Sequence, residues 1–263
     1  MIGVVQDVSE LIKSEKDLRA RNAELNRSNA ELEAFNRVVS HDLQEPLRKI
    51  QMFLSRLDEA EKSKLSEKGN EYLNKVDKAA SRMQSLIVNL LTYSRIGSTD
   101  EDFEKVDLNQ TIEKVSEDMA EAITEKHAKI EHETLPAVEG IPFQMEQLFG
   151  NLLSNALKYS DPKKETRVLI KSEKVNKDQI PEDFMKTSKN YHKISFVDNG
   201  IGFTNENSDK IFEFFQRLHQ KSEYSGTGIG LAICKKIVEN HHGFIHATSE
   251  LSKGSAFIIY LPA

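Results

Sequence analysis

A heptad repeat near the start of the chain constrains its fold more than any other feature. Leucine or valine recurs every seventh residue, at positions 11, 18, 25, 32 and 39. If these are d positions of a coiled coil, three a positions are asparagine, namely Asn22, Asn29 and Asn36. Leucine at d favours a parallel coiled coil, whereas each buried asparagine fixes register at a cost in stability. The repeat predicts a weakly held dimeric coiled coil over residues 10–37; a solvated helix with incidental leucines is the alternative.

The next segment, residues 38–96, has the pattern of a helical hairpin. Its first apolar stripe comprises Leu43, Leu47, Ile50, Leu54 and Leu57. Pro46 removes a backbone donor within this stripe and predicts a local kink. After a polar turn at 61–69, a second stripe comprises Tyr72, Val76, Ala79, Met83, Leu86, Leu90 and Tyr93. Two such antiparallel helices, doubled in a dimer, make a four-helix bundle. Residues 97–103 then form the predicted linker.

From residue 104 onward the pattern changes to mixed α and β structure. Helical periodicity covers residues 108–126, 142–158 and about 230–241, and strand-like runs occur at 167–171, 193–197, 243–249 and 256–261. The polar stretch 174–192 is predicted to be a hairpin connection or an insertion. Strands separated by loops, with helices grouped around them, predict helices layered on a mainly antiparallel sheet.

Composition excludes several classes of function. The net charge of −6 argues against nucleic acid as the main ligand, since such proteins need a basic face. A single cysteine, Cys234, suits a reducing compartment. No apolar run approaches the ~20 residues that span a bilayer, and no secretory signal opens the chain. We therefore expect a cytoplasmic location, either for the whole protein or as the cytoplasmic part of a larger receptor.

The first chemically suggestive residue is His41. It lies two residues before Leu43, about 200° around an α-helix, and should point away from the bundle core. Asp42 follows directly, and a carboxylate can hold one ring N–H and raise the nucleophilicity of the other nitrogen. These two residues alone do not distinguish a reactive histidine from an ordinary surface histidine.

A second group of polar residues lies on the predicted helix 142–158. Asn151 and Asn155 are four residues apart and therefore share a helix face. Amide oxygens are suitable ligands for Mg²⁺, which prefers oxygen. Lys158, nearly one turn later, could approach the same phosphates as a point charge. The alternative is a pair of surface amides that are satisfied by water.

Two glycine clusters complete the pattern. Asp198 ends a β-rich run, where its carboxylate can accept a hydrogen bond from an amino group such as that of adenine, and glycines follow at 200 and 202. Alternating glycines at 226, 228 and 230 lead into the helical run 231–240, and bare N–H groups at a helix N-terminus favour phosphate. The spacing is neither that of the Rossmann fingerprint nor that of the Walker loop. A different nucleotide-binding fold is required.

Taken in order, these segments resemble the H, N, G1, F and G2 boxes of sensor histidine kinases. The matching stretches are those around His41, 151–160, 198–202, 211–218 and 226–231. The resemblance covers about residues 30–263, and 223–236 is similar to the phytochrome-like and PAS-linked groups. It implies an α+β multidomain protein with an N-terminal coiled coil, a dimeric four-helix bundle, and a two-layer α/β sandwich of the Bergerat type at 104–263. Residues 1–9 resemble the exit of a PAS domain.

The resemblance also implies a role for individual residues. His41 would be the phosphoacceptor and Asp42 its acid/base helper, while Asn155 would ligate Mg²⁺ with support from Asn151. Lys158 would contact phosphate. The other implied ATP contacts are Tyr159, Asp198, Gly200, Gly202, Arg217, Gly226, Thr227, Gly228, Gly230 and Leu231. Residues 205–225 would form a mobile lid, anchored by Phe212, Phe214 and Phe215.

The implied function is autophosphorylation of His41 by Mg-ATP, followed by transfer to an aspartate of a separate response regulator. The implied assembly is a homodimer that receives its signal from a PAS-like sensor domain. Two alternatives remain open. One is a nucleotide-binding scaffold that signals without catalysis. The other is an ATPase of the gyrase and chaperone group, although those enzymes carry a glutamate base where this chain has Asn151.

Overall fold

The computed structural model describes residues 9–61, 64–96, 102–180, 184, 188–216 and 227–263. Most of the predicted PAS exit (1–9) and most of the predicted linker (97–103) lie outside these residues. The chain divides into two compact units between Ser94 and Arg95, close to the predicted end of the hairpin at residue 96. Within the described parts of the chain, no helix combines the length and apolarity needed to cross a membrane.

The first unit consists of two long helices. Helix α1 runs without interruption over Ser9–Glu61, so the predicted coiled-coil segment and the first hairpin helix form one element that continues through Pro46. Helix α2 spans Glu67–Arg95. Its start is capped by Ser66, whose Oγ accepts a hydrogen bond from the Gly69 amide at 3.1 Å. Arg95 in the last turn complements the negative end of the helix dipole.

A narrow apolar seam joins α1 to α2. Leu47, Ala80 and Ile87 are buried, and Leu54 and Leu91 pack against them. Beside this seam Gln51 Nε2 donates a hydrogen bond to Gln84 Oε1 at 2.8 Å. The seam on α2 differs from the predicted apolar stripe: it uses Ala80, Ile87 and Leu91, each one position beyond a predicted residue. The reason is that α2 has apolar residues on two adjacent faces, and periodicity alone cannot say which of them meets α1.

The second apolar face of this unit is exposed in the single chain. On α1, alternate members of the predicted stripe are exposed: Leu43, Ile50 and Leu57 are 49%, 47% and 45% exposed. On α2 the exposed residues include Tyr72, Val76, Met83 and Leu90. These residues recur at the four- and seven-residue spacings of a continuous helix face.

The second unit is built on two sheets. Strands β1 (Glu104–Asp107) and β3 (Ala137–Gly140) form an antiparallel pair. The other sheet has the order β2–β4–β5–β7–β6, with strands at Lys129–His132, Arg167–Asn176, Asn190–Asp198, Gly254–Pro262 and Phe244–Glu250. Only the β2–β4 pair among them is parallel. The prediction of a mainly antiparallel sheet is therefore confirmed, including the β4–β5 hairpin across residues 177–189.

Helices α3 (Leu108–Asp118), α4 (Ala120–Glu125), α5 (Pro142–Lys158) and α6 (Gly230–Asn240) supply the second layer. The predicted helix at 108–126 is divided at Met119, whereas α5 has the predicted bounds. Alternate sheet residues point into the core, among them Ile170, Ile194, Phe196 and Ile259, all nearly fully buried. Phe149 of α5 meets Phe196 edge-to-face with ring centroids 4.9 Å apart. This contact joins the helix layer to the centre of the sheet.

Three short strands were not predicted. β1, β2 and β3 have only four residues each, and their burial alternates only in β3. Their pairing depends on distant partners, as when Lys129 lies opposite Arg167. Four residues without a clear period of two carry too weak a local signal for prediction.

We expect Phe149→Ala to destabilise the second unit strongly. Phe149 is fully buried, so truncation removes an aromatic ring from the helix–sheet interface and should cost about 3–5 kcal/mol. Phe143→Ala is the matched control on the same helix, because Phe143 is 61% exposed and its loss should change stability by only ~0.5 kcal/mol. Urea unfolding of both variants measures the difference, and similar losses would contradict the assigned interface.

Candidate functional site

An open pocket of ≈ 570 Å³ lies in the second unit, between the end of α5, the end of β5 and the start of α6. Five predicted residues line it: Asn155, Tyr159, Asp198, Gly202 and Leu231. The structure therefore brings together residues that lie up to 76 positions apart in the chain (231 − 155).

Asp198 supplies a carboxylate to this pocket. Its Oδ1 accepts hydrogen bonds from the backbone amides of Gly200 at 2.9 Å and Ser255 at 3.3 Å. Burial raises the pKa of Asp198 above its ordinary value, and the two amide hydrogen bonds oppose that rise. The carboxyl group is therefore held in a fixed orientation by the backbone in a poorly solvated position, which is typical of a ligand-binding group.

The glycines after Asp198 allow the backbone to pack closely around the pocket. A Cβ at Gly200 would lie 2.3 Å from the carbonyl oxygen of Tyr159. Gly202 has φ +64°, and a Cβ there would lie 2.2 Å from the carbonyl oxygen of Glu250. Both positions therefore exclude a side chain, and at Gly202 the backbone conformation independently favours glycine.

Asn151 and Asn155 lie one turn apart on α5, as predicted, but only Asn155 lines the pocket. Asn151 is half-buried. A Cβ at Gly230 would come within 3.3 Å of Asn151 Oδ1, so Asn151 lies against the first residue of α6. Its side chain also contacts the buried Cys234 thiol, and this hydrogen bond opposes the rise in the pKa of Cys234 that burial causes.

Lys158 and Tyr159 interact with each other. The Lys158 ammonium donates to the Tyr159 hydroxyl at 2.9 Å and lies 4.4 Å from the centroid of that ring. Lys158 lines a neighbouring charged groove with Lys126 and Asp161 rather than the pocket that Tyr159 lines. The prediction that this ammonium reaches phosphates remains untested.

The second glycine cluster lies at the start of α6. Gly228 has φ +75°, and its carbonyl accepts a hydrogen bond from the Phe215 amide at 2.9 Å. The helix begins at Gly230, and its N-cap, Ile229, makes no side-chain capping bond. The first-turn amides of an 11-residue helix thus have no side-chain cap, a suitable arrangement for an anion. Thr227 directly precedes this turn, and Leu231 lines the pocket.

Two predicted contacts, Arg217 and Gly226, lie outside the described residues, as does much of the predicted lid. The three phenylalanines that are expected to anchor that segment differ in burial. Phe212 is buried, but Phe214 and Phe215 are 38% and 64% exposed. Phe215 has φ +61°, a left-handed backbone conformation that is uncommon for a bulky residue.

The last two strands contribute residues that sequence reasoning missed. Ser255 lines the pocket and holds Asp198. Ser249 Oγ accepts from the Phe203 amide at 2.8 Å and donates to the Gly254 carbonyl at 2.7 Å. Gly254 has φ +114°, and a Cβ there would lie 1.9 Å from the Asp198 carbonyl oxygen. Gly254, the first residue of the last strand, was the available signal in the sequence. The remaining lining residues are Ile201, Phe203, Ile211, Gln216 and Phe257.

The predicted phosphoacceptor lies in the other unit. The backbone of His41 belongs to α1, but its side chain is outside the described part of the structure. The predicted outward orientation of the imidazole therefore remains a prediction. Its neighbours differ in exposure, since Ser40 is buried and Asp42 is exposed.

Two family models match this chain. Residues 31–99 match the His Kinase A (phospho-acceptor) domain. Residues 140–263 match the histidine kinase-, DNA gyrase B- and HSP90-like ATPases. The first match contains His41, and the second contains every residue that lines the pocket.

Curated relatives extend over nearly the whole chain. Cyanobacterial phytochrome A of Nostoc sp. is 35% identical over 97% of this chain and 32% of its own length. Sensor protein kinase WalK of Staphylococcus haemolyticus is 31% identical over 99% of this chain and 39% of its own length. The chain thus spans about a third of the length of the curated relatives that it matches.

Solved structures share the fold. Full-length ShkA, crystallised in complex with AMPPNP, has a TM-score of 0.62 at 22% identity, covering 86% of this chain and 45% of that one. The histidine kinase AdeS of Acinetobacter baumannii has a TM-score of 0.54 at 20% identity, covering 84% and 97%. At these identities the likeness concerns the fold alone.

We expect Asp198→Asn to raise the stability of the second unit at neutral pH. The folded-state pKa of Asp198 is raised, so the protonated form is favoured in the fold and stability falls as pH rises through that pKa. An amide can still accept from Gly200 and Ser255 without carrying a charge. Urea unfolding should show the variant's advantage at pH 7 and its loss near the unfolded pKa of about 4.

Asp107→Asn is the control, because the pKa of Asp107 is shifted in the opposite direction. Hydrogen bonds from Asn109 lower the pKa of Asp107, so its ionised form favours the folded state and neutralisation should bring no gain at pH 7. An equal gain in both variants would mean that lower net charge, rather than the burial of Asp198, is responsible.

Proposed function

Because this chain belongs to the sensor histidine kinases, we propose that it is a kinase core that phosphorylates its own His41 with Mg-ATP. The observation that carries the proposal is the pocket, where Asn155, Asp198 and the start of α6 converge in the same chain as a helix bearing the acceptor histidine. The phosphoryl group would then pass to an aspartate of a separate response regulator. We propose a cytoplasmic location for this reaction, with input from a PAS-like sensor domain.

Each part of the pocket suits one part of ATP. The Asp198 carboxylate would accept a hydrogen bond from the adenine amino group, and the tight glycine backbone at 200–202 would pack beside the base. Tyr159 and Leu231 would supply apolar surface around base and ribose. The first-turn amides of α6, with Gly226, Thr227 and Gly228 before them, would bind the phosphates. Lys158 and Arg217 would add positive charge.

The donor set near α5 fits a magnesium ion. Asn155 offers a neutral amide oxygen at the pocket wall, and Asn151 lies one turn earlier on the same helix, against the first residue of α6. Mg²⁺ commonly takes few protein oxygens and completes its shell with water and phosphate. When bound, it would neutralise charge on the phosphates. Asn155 would hold it, with Asn151 fixing the neighbouring turn.

The reaction requires only positioning and charge stabilisation from the protein. A ring nitrogen of neutral His41 would attack the γ-phosphorus, the bond to the bridging oxygen would break, and ADP would leave. Asp42 would hold the N–H of the other ring nitrogen and stabilise the charge that develops on the imidazole. Gyrase-type hydrolysis instead needs a base that activates water. Asn151, an amide, stands at the corresponding position and cannot take up that proton.

Autophosphorylation with γ-labelled ATP tests the proposal. We expect acid-labile label on the wild-type chain and its complete loss in His41→Gln. Asn155→Ala should reduce the rate by roughly 100-fold or more, because it removes a group that stabilises charge on the transferring phosphoryl group. His132→Gln is the control, since His132 is an exposed histidine of the second unit that lines neither the pocket nor the neighbouring charged groove. Persistent label on His41→Gln, or rapid ATP hydrolysis independent of His41, would contradict the proposal.

We also propose that the exposed apolar face of the hairpin unit is covered by a second copy of the chain, completing a four-helix bundle. Ile50 is 47% exposed on this face, whereas Met52, two residues later, is 39% exposed about 200° around the helix. Ile50→Glu should therefore weaken the dimer at least ~10-fold by burying an unpaired charge. Met52→Glu should leave it unchanged. Sedimentation equilibrium distinguishes the two, and equal effects would contradict the assigned face.

A further inference from the structure

A buried histidine outside the pocket joins the two helices that form its walls. His241 directly follows α6 and is only 3% exposed. Its Nε2 lies 3.0 Å from the amide nitrogen of Ile141, and its Nδ1 lies 2.7 Å from the carbonyl oxygen of Ile237. The first partner is a donor and the second an acceptor. Both bonds therefore require the neutral tautomer with its proton on Nδ1.

The bond to Ile141 serves as the cap of α5. Ile141 is the N-cap residue of that helix and makes no side-chain capping bond of its own, so the imidazole supplies the acceptor for its buried amide. A second hydrogen bond joins the same two turns: Asn240 Nδ2 donates to Gln144 Oε1 at 3.0 Å. The start of α5 and the end of α6 are thus tied twice.

The surroundings of His241 are shaped to hold the ring. A Cβ at Gly140 would lie 3.0 Å from the imidazole, so glycine there leaves room for it. On its other side the ring of Phe103 packs with centroids 4.9 Å apart. Phe103 immediately precedes β1, whose first residue, Glu104, pairs with Gly140. The chain that enters the second unit therefore reaches the same junction.

Farther along α5, the two helices meet again at the start of α6. Asn151 of α5 faces Gly230 of α6, and Cys234 Sγ lies 3.9 Å from the Leu148 carbonyl between the two ends. From Ile141 to Asn151 the helix rises about 15 Å. Because the intervening side chains are closely packed, a shift at the junction is transmitted along α5 rather than absorbed.

We propose that His241 is a positioning residue for nucleotide binding: its neutral imidazole fixes the register of α5 against α6, and thereby the placement of Asn151 and Asn155 beside the start of α6. The part of this inference that concerns ATP affinity rests on the proposed function. The structural part does not, since the packing of α5 against α6 can be measured by hydrogen exchange without nucleotide.

Two substitutions separate the Ile141 bond from the rest of the side chain. In His241→Asn the amide nitrogen can replace Nδ1, but no acceptor reaches Ile141. In His241→Gln the amide oxygen can replace Nε2 and accept from Ile141. We expect His241→Asn to raise the dissociation constant of Mg-ATP roughly fivefold or more, measured by calorimetry on the 263-residue chain. His241→Gln should remain close to wild type. Amide hydrogen exchange of 148–155 without nucleotide should accelerate in the first variant only.

His242→Asn is the matched control, because His242 is an exposed neighbour with φ +56°, which asparagine tolerates. An unchanged dissociation constant in His241→Asn, with only a lower melting temperature, would overturn the inference. An equal loss of Mg-ATP affinity in His241→Gln would also overturn the inference, because the effect would then come from packing of the imidazole ring and not from the bond to Ile141. Should His241→Asn not fold, Asn240→Ala provides the milder test, and an unchanged affinity there would count against this junction. A wild-type chain that binds no ATP contradicts the proposed function, and the exchange comparison then still decides the inference.

Discussion

The packing of α5 against α6 is the constraint on which the second unit depends. Both helices bury nearly complete aliphatic faces, with Leu148, Leu152, Ile233 and Ile237 at most 1% exposed. The asparagines lie on one of these helices, and the other begins at the glycine cluster. Any change in helix register would therefore change the pocket. Close-packed interiors do not deform continuously, so the packing of the core fixes the positions of the polar groups at the pocket.

Close backbone packing is the second requirement of the site, and it has a cost in stability. Gly200, Gly202 and Gly254 each stand where a Cβ would clash with a backbone carbonyl, although glycine loses more conformational entropy on folding than other residues. Asp198, held among them, is a carboxyl group in a position where burial disfavours its charge. These local costs occur together at the pocket, as expected where a protein departs from its most stable sequence for the sake of binding.

Prediction from sequence succeeded where a local pattern is long. The bounds of α5 and the positions of β4 to β7 followed from periodicity and residue type, and the glycine motifs indicated which chain segments meet at the pocket. It failed where the outcome depends on distant partners. The four-residue strands, the seam at Ala80 and Ile87, and the roles of Ser255 and His241 all depend on which segments become neighbours in space. Local periodicity carries no information on that choice.

The sequence alone therefore determines the order and chemistry of the motifs: a histidine followed by an aspartate, paired amides on one helix face, a carboxylate at a strand end and glycines before a helix. Those features depend on residue type and short spacing, which can be read directly. Only folding decides that Asn155 and Asp198 line one pocket while Asn151 lies against Gly230. Folding also decides that His241 caps a helix whose N-cap residue, Ile141, lies 100 positions earlier. Such contacts arise from the packing of whole elements, whose relative register is set by the complete core.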